Sequence, residues 1–286
     1  MFNFGGHVLV GDVAEMKFSP SLLKSFQSCN LKYKLAKDHP DTVEPQSAAA
    51  SYGTLVHKCI EMYLLGRPIE DTLEFFNTVW TNPELMDIVP DYYPSRTSHG
   101  SYRKKGSEAI LGFYEEHRWL DRELIATEFR FCFPYGSHFV SGIIDVLEYD
   151  PVTDTLYVVD LKTGARPNAD NLRFDLQFLS YDLAVQQEEF WCGYEPEIEK
   201  YTGFPNGKEL FDRFRHSSRE MVWYDLRNAK EYAIGKHDQR DYGRLLMLCD
   251  QIEKAVDLDV FVPTITGDTC KWCAYTDICP SFVEEK

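Results

Sequence analysis

The sequence HFVSGIIDVLEYDPVTDTLYVVDLK occupies residues 138–162 and holds two runs of β-branched and aromatic residues separated by DPVTD. The stretch 124–133, LIATEFRFCF, has the same character and is separated from the first run by the turn-forming PYGS. Short runs of this kind, each bounded by turn residues, are typical of β-strands joined by tight connections. The sequence therefore predicts a three-stranded meander, with strands at 124–133, 138–149 and 155–162.

Apolar residues recur at helical spacing on both sides of the meander. Ser19 and Pro20 indicate a helix start, because serine caps a first turn and proline is tolerated at its first position. Further helices are predicted at residues 47–65, 70–80 and 103–119 before the meander, and at about 171–187 and 238–258 after it. Residues 196–225 are ambiguous, apart from one strand at MVWYDL. These elements predict one α/β unit, a mixed central β-sheet flanked by helices.

The chain has 286 residues and a net charge of −16. Nucleic-acid phosphates are attracted by basic surfaces, so this charge counts against tight non-specific DNA binding but permits a confined basic channel. No apolar run approaches the ~18–20 residues of a membrane span, and the first residues do not resemble a secretion signal. We therefore expect a cytoplasmic protein with no membrane partner.

Asp145, Asp160 and Lys162 are the polar residues of interest in the meander. Asp160 and Lys162 stand two apart on the third strand, so their side chains point to one face of the sheet. Asp145 on the second strand can join them, because cross-strand neighbours lie about 5 Å apart. Two carboxylates and a lysine on one face are costly unless a cation or a substrate is bound there. Hard oxygen ligands suit Mg²⁺ or Mn²⁺, which predicts metal-dependent phosphoryl chemistry.

A D-x-K match on its own also arises by chance, on a solvated strand that carries an ordinary ion pair. Two further motifs accompany this one. Gln177 and Tyr181 are four apart and share a helix face downstream, and Gly53 to His57 place a histidine on a helix upstream. Taken alone, His57 is more typical of a core or surface histidine than of a metal ligand. The combination favours an active site.

These motifs resemble, in their order along the chain, those of the RecB-like branch of the PD-(D/E)XK nucleases. They are G-x-x-x-H (Gly53 to His57), G-I-I-D (ending at Asp145), D-L-K (Asp160 to Lys162) and Q-x-x-x-Y (Gln177 to Tyr181). That branch includes the RecB and AddB nuclease domains and the CRISPR-associated RecB-like exonucleases. The resemblance extends from Ser19 to Pro280 and implies a restriction-endonuclease-like core.

The resemblance also implies a role for each motif residue. The metal ligands would be His57, Asp145, Asp160 and the backbone carbonyl of Leu161. Lys162 would be the catalytic lysine, while Gln177 and Tyr181 would support the active-site geometry and contact the DNA backbone. Glu128, on the first strand, is a candidate ligand of a second metal ion.

Four of the eight cysteines stand singly among apolar neighbours, and we expect them to be small buried hydrophobic residues. They are Cys59, Cys132, Cys192 and Cys249. The other four occur in two separate patterns, at the two ends of the chain.

Cys270-x-x-Cys273 followed by Cys279-Pro280 is a compact ligand set in a reducing compartment, where a disulfide is not expected. Three thiolates require a fourth ligand. The RecB-like resemblance supplies it as Cys29, within S-x-S-x-L-x-x-F-x-x-C-x-x-x-Y, and implies that the four cysteines hold a [4Fe–4S] cluster. Spacing alone leaves Zn²⁺ as the alternative, because four thiolates also suit tetrahedral zinc.

We therefore expect a single domain over residues 1–286. It would contain a nuclease core at about 47–190 and a cluster module formed by residues 19–35 and 265–282, whose metal centre ties the two helical ends together. No G-x-x-x-x-G-K-[ST] phosphate loop is present, so ATP-driven unwinding would require a separate helicase or recombination partner.

The implied activity is a metal-dependent DNA exonuclease that acts on single-stranded DNA or DNA ends, with 5′ to 3′ polarity, in recombination, repair or DNA processing. One alternative is a non-catalytic DNA-end-binding or partner-docking protein that retains the fold. Another is a structure-specific or restriction-type endonuclease. Basic residues are sparse, and the candidates for phosphate contacts are Arg166 and Arg173, together with Arg96 and the run Arg103, Lys104 and Lys105.

Overall fold

The computed structural model describes residues 8–9, 14–42, 44–93, 98–165, 168–192, 207–271 and 273–281. The strands are β1 (Val8–Leu9), β2 (Ala14–Glu15), β3 (Lys17–Phe18), β4 (Glu123–Tyr135), β5 (His138–Asp150), β6 (Thr155–Lys162), β7 (Ser218–Asp225) and β8 (Lys230–Ile234). The helices are α1 (Pro20–Ser28), α2 (Asn30–Asp38), α3 (Ala48–Leu64), α4 (Ile69–Thr81), α5 (His99–His117), α6 (Ala169–Arg173), α7 (Leu176–Ala184), α8 (Glu188–Trp191), α9 (Gly207–Phe214), α10 (Gln239–Asp257) and α11 (Gly267–Lys271). Short 3₁₀ helices lie at Pro83–Met86 and Thr276–Ile278.

β5 pairs with three other strands of a mixed sheet. It pairs antiparallel with β4 along one edge. Along the other edge it pairs parallel with β3 at its start and antiparallel with β6 at its end. β7 then joins β6 in parallel, and β8 follows antiparallel. The predicted meander of β4, β5 and β6 is therefore present, with β4 at one edge of the sheet, and the expectation of a mixed α/β fold is confirmed.

The ladder between β5 and β6 ends at the pair Val146 and Val159. Asp145 and Asp160 are the next residues along the two strands in this register. Just beyond them, the Leu161 N–H donates to Asp145 Oδ2 at 2.7 Å. A side-chain carboxylate thus accepts a main-chain donor where the ladder has ended. The two aspartates meet at the point where the sheet opens.

Two helical layers cover the two faces of the sheet, and the residues of β6 divide between them. Val158 packs in a core with residues of α1, α7 and α10, whereas Val159 and Leu161 pack with residues of α3, α4 and α5. Because side chains alternate along a strand, Asp160 and Lys162 share the face of Val158. The charged residues of the D-L-K motif therefore point toward the layer that contains α7.

The prediction of one helix at about 171–187 is wrong. The segment divides into α6 and α7 near Phe174, and Asp175 has an extended backbone. The Asp175 side chain accepts the Gln177 N–H at 2.8 Å and so caps α7. An N-cap oxygen satisfies one of the free N–H groups of a first turn. The break consequently puts Gln177 in the first turn of its helix.

Other helices follow the prediction more closely. Those expected at 47–65, 70–80, 103–119 and 238–258 are present as α3, α4, α5 and α10. Ser19 caps α1 as predicted, and the extended backbone of Cys29 separates α1 from α2. The strand at MVWYDL belongs to β7, whereas β8 was not predicted. Among the described residues, no helix has the length and apolar character needed to cross a membrane.

The prediction that all four single cysteines are buried is wrong for two of them. Cys59 and Cys249 are buried, and burial raises the pKa of each thiol to about 12. Cys132 and Cys192 are exposed. Cys132 follows Phe131 on β4, and since Phe131 faces the core, strand alternation turns the cysteine outward.

Candidate active site

Asp160 and Lys162, at the end of β6, form a close ion pair. The Lys162 Nζ lies 2.6 Å from Asp160 Oδ2 and 3.3 Å from Gln177 Oε1. Asp160 is fully buried, and despite the lysine contact its Oδ2 has no well-directed hydrogen bond within the described residues. A buried carboxylate oxygen with unused acceptor capacity is costly in the free protein. Such an oxygen is available to bind a cation.

Gln177 and Tyr181, one turn apart on α7, connect this ion pair to β5. The Gln177 amide donates from Nε2 to Asp160 Oδ1 at 2.9 Å and to the Tyr181 hydroxyl at 2.7 Å. The Tyr181 hydroxyl in turn donates to the Ile143 carbonyl. Because its nitrogen donates to Asp160 while its oxygen accepts from Lys162, the orientation of the Gln177 amide is fixed.

Gly142, the first residue of the G-I-I-D motif, allows an aromatic ring to lie close against β5. A Cβ atom at this position would lie 2.6 Å from the Phe131 ring. Phe131 packs edge-to-face against Tyr181, with 6.0 Å between the ring centroids. Glycine at this position therefore permits the packing that supports Tyr181.

His57 on α3, Glu128 on β4 and Asp145 on β5 form a group whose ligand atoms all lie within 4.8 Å of one another. The His57 Nδ1 lies 3.6 Å from Asp145 Oδ2, and the imidazole also lies near the Leu161 carbonyl. The structure therefore brings His57, Asp145 and the Leu161 carbonyl together, with Glu128 beside them. Asp160 lies outside this group of three.

Glu128 has a left-handed backbone conformation, with a φ of 48°. It stands opposite Asp145 in the register of β4 and β5, at a position that the ladder omits. For a residue other than glycine, this conformation costs about 1–2 kcal/mol. The strained residue is the one whose carboxylate joins His57 and Asp145.

The pKa values of these groups follow from their burial. Burial raises the pKa of Asp145 to about 6 and also raises the pKa of Asp160, against the opposing charge of Lys162. Burial, with the nearby charge of Asp145, raises the pKa of Glu128. Burial lowers the pKa of His57, which favours the neutral imidazole that a metal ligand requires. A bound cation would offset the free-energy cost of burying these carboxylates in their charged form.

A cleft of about 850 Å³ opens beside this group and is lined by residues of α1, α3, α7, β4 and β5. His57, Glu128 and Asp145 are all exposed to it. Two carboxylates and an imidazole at an open cleft form a donor set that fits a hard divalent cation such as Mg²⁺ or Mn²⁺.

The basic residues predicted to contact DNA do not line the cleft where they are described. Arg173 lies 3.6 Å from Asp241 and over the ring of Phe174. The run from 103 to 105 is on α5, away from the cleft lining. Arg96 and Arg166 lie outside the described residues. The cations that do line the cleft are Lys24, Lys58 and Arg130, which no sequence motif had indicated.

Another pocket lies where α2 packs against the C-terminal segment, and it is lined by Cys29, Cys270, Cys273 and Cys279. The Cys29 Sγ accepts two backbone N–H bonds, from Lys32 and from Thr264, each at 3.4 Å. In the part of the chain that the structure describes, no three cysteine sulfurs lie within 4.8 Å of one another.

A second group of one histidine and two carboxylates lies away from the cleft. The buried His138 has its Nε2 2.9 Å from Asp250 Oδ1 and 3.9 Å from Glu253 Oε2. Its Nδ1 has no hydrogen-bond partner within the described ranges. A metal-bound imidazole almost always donates from its other nitrogen, so this arrangement favours an ion pair over a metal site.

The family model described as the PD-(D/E)XK nuclease superfamily matches residues 17–280. That match runs from β3 to the last of the pocket cysteines. The chain therefore belongs to the PD-(D/E)XK nuclease superfamily, whose members are generally metal-dependent hydrolytic nucleases. Comparison with the curated proteins finds no relative of this chain.

Proposed function

We propose that this protein is a RecB-like exonuclease that hydrolyses DNA phosphodiester bonds with Mg²⁺ or Mn²⁺. The observation that carries the proposal is the convergence of Asp145, Asp160 and Lys162 where β5 and β6 part, beside an open cleft. Burying two carboxylates costs stability, and a protein that only bound DNA ends or docked a partner would gain nothing from it. The buried Asp160 therefore favours catalysis over a purely structural role.

We assign His57, Asp145, Asp160 and the Leu161 carbonyl as ligands of one divalent cation. Glu128 is assigned to a second cation on the strength of the family resemblance, and its carboxylate lies beside His57 and Asp145. When bound, such a cation supplies Lewis acidity toward the phosphate and lowers the pKa of a coordinated water.

Lys162 is assigned as the catalytic lysine. Burial alone would lower the pKa of its ammonium, but the charges of Asp160 and Asp145 outweigh burial and raise that pKa. Lys162 thus stays protonated and cannot act as a general base near neutral pH. Its ammonium has three N–H donors, and its contacts with Asp160 and Gln177 leave at least one of them for another partner. The remaining donor can stabilise the negative charge that develops on the phosphoryl oxygens.

Gln177 and Tyr181 are assigned as positioning residues for this lysine. Gln177 contacts both members of the Asp160 and Lys162 pair, and Tyr181 anchors Gln177 to the Ile143 carbonyl. Productive geometry in an active site depends on such supporting hydrogen bonds, because a small displacement of the catalytic group lowers the rate. Contact of these two side chains with the DNA backbone is part of the same assignment.

We further propose that Cys29, Cys270, Cys273 and Cys279 bind a [4Fe–4S] cluster. Their shared pocket supports the assignment, as do the two N–H groups directed at Cys29 Sγ, because hydrogen bonds to cluster sulfurs are common in such sites. The rival is zinc. Tetrahedral Zn²⁺ with bonds of about 2.3 Å requires sulfurs only ~3.8 Å apart.

The resemblance to the RecB-like enzymes favours the cluster, in which each thiolate of a [4Fe–4S] centre binds a different iron. In this proposal, residues 19–35 and 265–282 form the cluster module, and 47–190 the nuclease core of one domain over 1–286. The small apolar contact of Leu31 and Leu35 with Tyr275 supports the joining of the two ends.

For the substrate, we propose single-stranded DNA or DNA ends, degraded 5′ to 3′, with unwinding of duplex left to a separate helicase or recombination partner. The resemblance of the motif order to RecB-like enzymes supports this choice. It is tested with end-labelled single-stranded and duplex oligonucleotides, each with either the 5′ or the 3′ end blocked, in Mn²⁺, Mg²⁺ or EDTA. We expect metal-dependent loss of single strands, prevented by the 5′ block. Internal cuts unaffected by either block would instead identify an endonuclease.

Asp160→Asn and Lys162→Met test the site itself and should lower the cleavage rate by at least about 10³-fold. The matched control is Asp182→Asn, because Asp182 is another buried aspartate, bonded to His237 and Arg219 away from the cleft. The control should retain the wild-type rate per folded molecule. Full activity in Asp160→Asn, or undiminished wild-type activity in EDTA, would refute the mechanism.

A further inference from the structure

The cleft beside the carboxylate group is lined by three cations, and two of them are already neutralised. The Lys24 Nζ lies 2.8 Å from Asp175 Oδ1, and the Lys58 Nζ lies 2.7 Å from Glu61 Oε2. Their charges are therefore largely balanced within the protein. The third cation, Arg130, has a different environment.

Arg130 is exposed on β4, and in the described part of the chain its guanidinium has no hydrogen bond or ion pair. Its cross-strand partner is Ile143, whose carbonyl is held by the active-site Tyr181. Glu128 lines the same cleft but forms no ion pair with it. Arg130 therefore lies on the cleft wall without an ion pair, opposite the β5 residue whose carbonyl accepts a hydrogen bond from Tyr181.

We propose that Arg130 binds one backbone phosphate of the DNA strand and so positions the neighbouring phosphate for hydrolysis. This inference rests on the proposed nuclease function. Besides the two lysines whose charges are balanced, the carboxylates of Glu128 and Asp145 line the cleft, so an approaching strand is repelled except where a cation contacts it. A guanidinium presents a planar fork of donors that matches two phosphate oxygens, which a lysine cannot reproduce.

Contact with phosphate carries no base information, so the site should accept any sequence. One engaged phosphate also predicts a shallow salt dependence. For single strands, each neutralised phosphate contributes about 0.7 to the slope of log affinity against log salt. Loss of the Arg130 charge should therefore reduce that slope by about 0.7.

Binding is measured by fluorescence anisotropy of a labelled single-stranded oligonucleotide, with Ca²⁺ in place of Mg²⁺ so that the strand is bound without cleavage. Arg130→Ala should raise the Kd roughly tenfold, as expected for one charge-assisted contact. The Kd of Arg130→Lys should lie between the values for wild type and Arg130→Ala. The control is Arg240→Ala, since Arg240 is exposed on α10 and does not line the cleft. Its Kd should equal that of the wild type.

A series of oligonucleotides, each with one neutral methylphosphonate, locates the contact. Wild-type affinity should fall at one position, adjacent to the cleavage site, and Arg130→Ala should be insensitive to substitution at that position. The inference is overturned if Arg130→Ala binds as tightly as wild type, or if both proteins respond identically along the series.

The two proposals fail in different ways. A protein that binds through Arg130 but cleaves no DNA in Mn²⁺ or Mg²⁺ would refute the nuclease function and keep the phosphate contact. A nuclease whose Arg130→Ala variant has unchanged Kd, KM and salt slope would refute only the role of Arg130.

Discussion

Lys24 on α1 forms a 2.8 Å ion pair with Asp175, the residue that caps α7. α1 ends at Ser28, next to Cys29, whereas α7 carries Gln177 in its first turn. A single contact therefore links the helix that leads to the cysteine-lined pocket with the helix whose Gln177 accepts a hydrogen bond from Lys162. Asp175 has two roles here, because its carboxylate also accepts the Gln177 N–H.

The two roles of Asp175 can be separated by substitution. Asp175→Ala removes both the cap and the ion pair and should lower the free energy of unfolding by about 1 kcal/mol. Asp175→Ser keeps a capping oxygen and loses only the ion pair with Lys24. Because that pair is partly exposed, the free energy of unfolding should remain within about 0.5 kcal/mol of wild type. Urea denaturation measures both values. Equal losses in the two variants would show that the cap contributes nothing.

Tyr181→Phe tests the support of Gln177. The change removes the hydroxyl that donates to the Ile143 carbonyl, so we expect a loss of about 1–2 kcal/mol in stability and a lower kcat with little change in KM. The control is Tyr242→Phe, which removes a buried hydroxyl bonded to Asp182 outside the cleft. Steady-state kinetics should show a kcat defect in the first variant only, and a similar defect in both would indicate a purely structural effect.

Asp145→Asn should reveal how much the buried carboxylate of Asp145 lowers the free energy of unfolding, because this effect depends on pH in the wild type and is absent in the variant. Burial raises the pKa of Asp145 to about 6, above the ~3.9 of an unfolded chain. A carboxyl with a raised pKa favours folding at low pH and loses that contribution as pH rises through about 6. Asparagine does not titrate, so in EDTA the variant should gain about 2 kcal/mol over wild type between about pH 4 and pH 8.

Thermal melts across this pH range provide the measurement. Mg²⁺ should raise the melting temperature of wild type at pH 8 and have little effect on Asp145→Asn, because the ligand has been weakened. A stability difference that stayed constant with pH would contradict the burial of an ionisable group at this position.

Glu128→Gly tests whether the left-handed residue on β4 is strained. Glycine adopts a φ of 48° without steric penalty, so Glu128→Gly should be about 1 kcal/mol more stable than Glu128→Ala. Both variants lack the carboxylate, so the comparison isolates the backbone. Denaturation of the metal-free proteins gives the difference, while calorimetric titration with Mn²⁺ should show weaker binding in both. Equal stabilities would mean that the strand has relaxed.

Cys29→Ser tests the cluster. Anaerobically purified wild type should be brown and contain iron, and the variant should lose both the colour and thermal stability, because cluster binding energy is partly folding energy. Cys132→Ser, at an exposed cysteine outside the pocket, should keep the colour. Iron and zinc analysis decides the outcome. A colourless wild type with stoichiometric zinc would identify a zinc site, and full iron content in Cys29→Ser would exclude Cys29 as a ligand.

The strands β4, β5 and β6, and the sheet face that Asp160 and Lys162 share, could be predicted from the sequence. Both depend on the alternation of side chains along a strand, which is visible in the order of residue types. The pairing of Gln177 with Tyr181 follows in the same way from helical spacing. Each of these features needs only a few neighbouring residues to be specified. Local pattern therefore determined which polar residues share a face.

The features that could not be predicted depend on contacts between distant segments. The sequence EFR at residues 128–130 contains no signal for a left-handed glutamate or for an arginine without an ion pair on a cleft wall. Both features depend on the packing of β5 and α1 around β4, which the local sequence does not specify. The ion pair of Asp175 with Lys24 likewise joins residues 151 apart in the chain. Tertiary context overrides local propensity at such positions.

The contact between Thr264 and Cys29 has a consequence for the order in which contacts form during synthesis. The Thr264 N–H that bonds Cys29 Sγ lies 235 residues further along the chain. Contacts at such separation form late, because the intervening chain must first be ordered. α1 lines the cleft through Ser19, Ser21 and Lys24. A nascent chain on the ribosome consequently lacks this contact at the end of α1 until Thr264 has emerged.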